Sequence, residues 1–277
     1  MFLKKGQLFC DINPFCYKIA MQKEIIKRHL KNFFGKDKFA KKKLDTTLPS
    51  IVSEHHSGMI KRAPGVDLTQ QENKVVNIGI AGEKINGMII KPGEVFSFWK
   101  TVGKISKRKG YKEGRIIKKN KLVAGIGGGL CNLGNTIHLL ILHSPLEVTE
   151  FHKHSDALAP DEGKRVPFSA GTSVCYNYID FRFKNTTDRN VQLLISCEGE
   201  TLHAELRSES PFPNSYRLVE EGHHFKKEGE KFYRNSKIYR ETIDKESGNV
   251  ISRDLILDNH SEVMFDYSLI PEELIQH

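Results

Sequence analysis

The chain has 277 residues, 38% of them apolar and 28% charged, which suffices for a globular core and excludes wholesale disorder. Net charge is +9. Residues 1 to 50 hold 12 Lys or Arg against 4 Asp or Glu, which leaves the other 227 nearly balanced at 31 against 30.

No run approaches the ~18 consecutive apolar residues that would span a bilayer, so no transmembrane helix is expected. Cys10, Asp11, Asn13 and Pro14 interrupt any signal-peptide core, and the expected location is cytoplasmic, peripheral to the membrane if the basic segment adheres to it. From Tyr17 to Phe39, apolar residues at 19, 25, 26, 30, 33, 34 and 39 alternate with lysines. The pattern is that of a basic amphipathic helix, which packs on its own domain or lies on an anionic membrane surface. Residues 40 to 70 are polar and punctuated by Pro49, Gly58, Pro64 and Gly65, and read as a linker or an irregular lead-in.

The main domain begins near Glu72, with Val75 to Ile80 as a strand or the edge of a short helix. Met88 to Ile90 and Glu94 to Trp99 read as strands around the Lys91-Pro92-Gly93 turn, followed by apolar pairs at 116–117 and 122–123. Lys100 to Lys121 carries ten basic residues against one acid, Glu113. Such a patch is a solvated face or a seat for anionic lipid, wall polymer or nucleic acid. After Gly127, Gly128 and Gly129 the period changes. Apolar residues at 130, 133, 137, 140 and 141 predict a central helix closed by Ser144-Pro145. Leu146 to Phe151, Ser173 to Lys184, Val191 to Cys197 and Leu202 to Leu206 read as strands; Lys237 to Ile243 and Val250 to Leu257 form a hairpin about Ser247-Gly248-Asn249. The sum is an α+β fold, mostly antiparallel sheet with one buried central helix after a Gly-rich loop. Its parts are a basic helical segment and linker at 1–70, a domain at 71–206 and a β-hairpin extension at 207–277.

Five cysteines at 10, 16, 131, 175 and 197 show no zinc-finger spacing, so no metal or cofactor is expected, and the odd count suits free thiols in a reducing compartment. Cys131 stands in the first turn of the central helix, where unpaired amides favour thiolate and could hold an oxyanion, while the glycines admit a substrate backbone. His152 and His154 lie at the end of the next strand as candidate bases. The bland alternatives are a sharp strand-to-helix turn and a core cysteine. His138 and His143 read as helix-face residues. No G-K-[ST] follows the glycines, which excludes a phosphate loop.

Gln71 to Asn77, Ile85-Asn86-Gly87, Pro92 to Trp99, Gly127 to Asn132, His154-Ser155 and Ile179 to Asn185 resemble, in order, the motifs of VanW domains, whose prototype accompanies vancomycin-resistance enzymes. The resemblance covers about half the chain. It implies a role in cell-wall peptide metabolism and glycopeptide resistance, and at its sharpest a cysteine acyltransferase of the L,D-transpeptidase type. Cys131 would then be nucleophile and His154 base, with Gly127, Gly128, Gly129, Asn132 and Ser155 around the substrate. The other reading is a non-catalytic accessory that binds a peptidoglycan stem peptide, precursor or partner protein; neither reading calls for nucleic acid. Two departures stand out: Asn132 replaces the usual glutamine, and Gly171-Thr172-Ser173-Val174 replaces a common Gly-x-Asp-Ala.

Overall fold

A computed structural model describes residues 8–62, 67–118, 121–153, 156–157 and 171–276. In chain order come helix α1 (Pro14–Phe34), strands β1 (Lys42–Lys43) and β2 (Ser50–Gly58), and helix α2 (Leu68–Ile85). Next are β3 (Met88–Ile90), β4 (Val95–Ser97), α3 (Phe98–Val102), β5 (Glu113–Lys118), β6 (Lys121–Ile126) and α4 (Leu130–Leu142). The remainder is β7 (Glu147–Glu150), β8 (Asp156–Ala157), β9 (Arg182–Lys184), β10 (Val191–Glu198), β11 (Thr201–Ser208), β12 (Asn214–Glu228), β13 (Lys231–Asp244), β14 (Val250–Val263) and β15 (Ile275–Gln276). The class is α+β, as expected.

The main sheet runs β1-β3-β10-β11-β2, antiparallel throughout. Two helices cover it: α2 lies on β10, and α4 lies on β2 and β11. Between them Ile78, Ala81, Ile85, Leu133, Ile137, Ile141, Leu193 and Leu206 form the centre of the core. A small sheet β4-β9-β7 adds the stacked rings of Phe96 and Phe183, 4.9 Å apart. The extension is a separate sheet, β15-β12-β13-β14-β8, whose Ile238 and Leu257 rest on Leu142 of α4.

Three expectations are corrected. The stretch 40–70 is not simply linker, because β1 pairs with β3 and β2 pairs with β11 along Ser50 to Gly58. Residues Val75 to Ile80 lie mid-helix. Asp67 caps α2 through its side chain, 3.3 Å from the Gln70 amide, and residues 71, 78, 81, 82 and 85 are buried at helical spacing. Within Ser173 to Lys184, Cys175 to Ile179 is a turn, closed by Tyr178 N and Ile179 N on the Cys175 carbonyl, and the strand begins only at Arg182.

Several family-like residues prove to be fittings of this fold. Asp180 is fully buried and accepts from Ser97 Oγ (2.6 Å), Trp99 N (3.0 Å) and Arg182 Nε (2.7 Å), thereby tying α3 to β9. Asn185 donates to the carbonyls of Ile90 and Arg189 and accepts from Thr187, bracing the turn before β10. Each satisfies polar groups that would otherwise be buried without partners.

Candidate functional site

The β5–β6 hairpin delivers the chain to the glycine run at the start of α4. Gly127 and Gly129 take positive φ, 79° and 95°, a conformation costly for any side chain, and Gly129 is the N-cap. Gly128 has a different reason to be glycine: a Cβ there would lie 2.1 Å from the Gly114 carbonyl carbon of β5. At Gly129 it would lie 2.2 Å from Lys74 Cγ. The close approaches these glycines permit are therefore made by the protein's own chain. Asn77 of α2 locks the arrangement. Its Nδ2 donates to the carbonyls of Lys112 (3.1 Å) and Gly128 (2.9 Å), and its Oδ1 accepts from Lys112 N (2.8 Å). In the sequence Asn77 is one residue of the Gln71 to Asn77 motif, and its burial on the inner face of α2 emerges only with the fold.

Cys131 occupies the second position of α4, with Sγ 3.8 Å from the Val174 carbonyl oxygen. Contrary to the expectation from its helix-terminal position, burial pushes this thiol up, and nearby Cys175 adds to the rise against the opposing contact with Val174. Asn132 faces β2: its Oδ1 accepts from Ser57 Oγ at 3.2 Å and its Nδ2 donates to the Gly58 carbonyl at 3.4 Å. The segment 172–174 separates the thiol from His152. Val174 meets Cys131, while Ser173 N donates to the His152 carbonyl (2.7 Å) and Thr172 bridges Lys153. The two departures from the family pattern thus sit against the cysteine, with Val174 where Ala is common.

His152 is committed elsewhere, its Nε2 3.0 Å from Glu150 Oε1. Burial works against the charged form of Glu150. Hydrogen bonds from His152 and Arg28, with the charges of Arg28 and Arg182, outweigh that and hold the carboxyl at about 2. His138 lies between the rings of Phe151 (4.6 Å) and Phe181 (5.2 Å), and burial brings it to about 3, so it stays neutral. His154 and Ser155 lie outside the described residues.

Lys74 is the site residue that sequence reading did not single out. Its stem packs over Gly129, and burial, reinforced by the neighbouring Arg115, lowers its ammonium to about 8. Away from this corner, a cavity of about 370 Å³ opens between β2, the end of α4 and the start of β12, lined by His55, His143, Tyr216 and Lys245 among others. Burial lowers His55, and His143 lowers it further.

An α+β domain built on a glycine-clamped helix with a cysteine in its first turn is the class these observations define. Residues 73–207 match the family model described as VanW like protein, and this domain belongs to the VanW family. The chain is 26% identical over 221 residues, 80% of each chain, to the vancomycin B-type resistance protein VanW of Enterococcus faecalis. It is 27% identical over 143 residues to the uncharacterized protein YoaR of Bacillus subtilis, matching 52% of this chain and 46% of that one. No solved structure matches.

Proposed function

We propose that this chain is an accessory of cell-wall peptide metabolism in the setting of glycopeptide resistance, binding the carboxylate end of a peptidoglycan stem peptide or precursor beside the glycine run. The observation that carries the reading is Lys74, a half-buried lysine whose stem packs over Gly129 at the start of α4 with Arg115 as a neighbouring cation. Burial, and after it the charge of Arg115, disfavours the Lys74 ammonium, and an anion placed beside Lys74 relieves both. Five cysteines free of disulfides suit a reducing compartment, where precursors are made, and we place the protein there.

Titration calorimetry with a stem pentapeptide tests this. Lys74→Gln should weaken binding by about 10-fold or more, the worth of a hydrogen bond to a charged group, while Cys131→Ala leaves affinity within about two-fold. A bound carboxylate raises the Lys74 pKa, so affinity holds below about pH 8 and declines as pH rises through that value. No binding, or binding indifferent to Lys74, overturns the reading.

The acyl-transfer reading has one observation in its favour, the place of Cys131 in the first turn of α4. It assigns Cys131 as nucleophile and His154 as base, and requires the thiol to be uncovered by substrate. Intact-mass detection of an acyl adduct on Cys131, lost in Cys131→Ala, would establish it in place of the accessory role.

A further inference from the structure

Helix α1 is attached to the domain by one face only. Arg28 forms a two-pronged pair with Glu150 and donates to the Tyr178 carbonyl at 3.0 Å; Ile25 is buried beside it, and Asn32 accepts from Arg182 at 2.6 Å. The other side is apolar and open. Phe15 is 69% exposed, Ile19 44%, Ile26 57%, Leu30 50% and Phe33 80%. At 3.6 residues per turn these five fall within a sector of about 60°, turned away from Ile25 and Arg28. Lys23, Lys27 and Lys31 border the stripe on one side and Lys18 on the other; Lys18, Ile19, Gln22, Lys23, Ile26 and Lys27 line a shallow groove along it.

We propose that this outward face of α1 lies in the surface of an anionic lipid membrane, with the apolar stripe among the acyl chains and the lysines at headgroup level. The charge pattern selects this occupant. A second copy of the helix would set lysine against lysine, since the only acid on α1, Glu24, is already engaged by Lys27 (3.1 Å) and Lys23 (3.4 Å). Lipid phosphates answer the lysines and acyl chains answer the stripe. Exposed Lys36, Lys38, Lys41 and Lys42 extend the basic rim past the helix end. The docked face stays on the domain, so the membrane would hold the whole molecule. The inference is independent of which ligand the glycine-run corner takes.

Sedimentation of the full chain with phosphatidylglycerol vesicles, against phosphatidylcholine vesicles, tests it. Binding should be confined to the anionic vesicles and weaken with salt. Lys23→Gln/Lys27→Gln/Lys31→Gln should cut partitioning about 100-fold, at about five-fold per lysine. Ile19→Glu/Ile26→Glu/Phe33→Glu should abolish it while the melting curve is unchanged, because all three positions are exposed. In a separate variant, Ile26→Trp should shift its emission to the blue on adding vesicles, against the buried Trp99 background. Absence of anionic-vesicle binding, full binding by the triple Glu variant, or a solution dimer that this variant dissociates would each overturn the proposal.

Discussion

At Cys131 two effects of opposite sign meet, and their magnitudes decide the outcome. A helix N-terminus favours an anion by roughly 0.3–1 kcal/mol at an exposed site. Withdrawing a thiolate from water costs more than that, and the neighbouring Val174 carbonyl, an acceptor, suits the S–H. Burial likewise pushes up Cys175 and Cys197, so helix position gives Cys131 no advantage over them. We expect slow alkylation of Cys131 at pH 7, below the rate of a free cysteine with its pKa of ~8.5, and acceleration as pH rises. Val174→Ala should speed the reaction several-fold by loosening, against Gly134, the segment whose carbonyl lies over the thiol, while removing only two methyl groups, at a cost of roughly 1–3 kcal/mol. A time course of iodoacetamide modification, read by mass spectrometry, checks both. Reaction at pH 7 as fast as free cysteine, or no gain in Val174→Ala, would show that the thiol is not covered in solution.

Among the contacts that hold α1, the pair of Arg28 with Glu150 is the most buried ion pair. Arg28 and Glu150, both largely buried, lie 122 residues apart in sequence, and breaking such a pair from one side costs about 3–5 kcal/mol. Arg28→Ala should therefore loosen α1, leaving Ile25, His29 and Asn32 to hold it, and lower the protection of its amides from hydrogen exchange, with Arg28→Ala/Glu150→Gln recovering part of the lost stability. The pH dependence follows from Glu150. Its folded pKa of about 2 is below the ordinary carboxyl value, so the stabilisation is complete above about pH 5 and is lost as pH falls toward 2. Thermal melts from pH 7 to 2 test this; a flat profile for wild type, or no difference from Glu150→Gln, refutes it. The helix itself was legible from its spacing, as were α4, the β3 to β4 turn and the C-terminal hairpin, because local period and turn residues fix them. The long-range partners were not legible: nothing near Arg28 points to Glu150, nothing near Asn77 to Gly128. Strand β2 escaped notice because it is an edge strand, with a polar face that reads as loop, and Val174 over Cys131 could be placed only once the fold was closed.

At the scale of the whole molecule, the two five-stranded sheets close three of their four edges with very short strands. In the main sheet, β1 is two residues long, and the second sheet ends in β15 and β8, also of two residues each. The other edge of the main sheet is β2, nine residues long, with Glu54, His55 and His56 along it to oppose further pairing. Its inner contacts hold α4 in register: Ser53 Oγ donates to the Leu140 carbonyl at 3.0 Å, and Ser57 and Gly58 hold Asn132 beside Cys131. A chain beginning at Asp67 would lose β2 and leave β11 as a bare edge of eight residues, with Leu202, Ala204 and Leu206 on its buried face. It would also lose Arg28, the two-pronged partner of the buried Glu150, and leave that carboxylate to His152 and Arg182. We expect that chain to aggregate. A chain beginning at Lys36 and carrying Glu150→Gln should stay soluble, because it keeps β1 and β2 and removes the charge that Arg28 paired. Light scattering and far-ultraviolet circular dichroism of the two decide the matter: if the Asp67 chain is monodisperse with native strand content, β2 is dispensable and the main sheet closes without it.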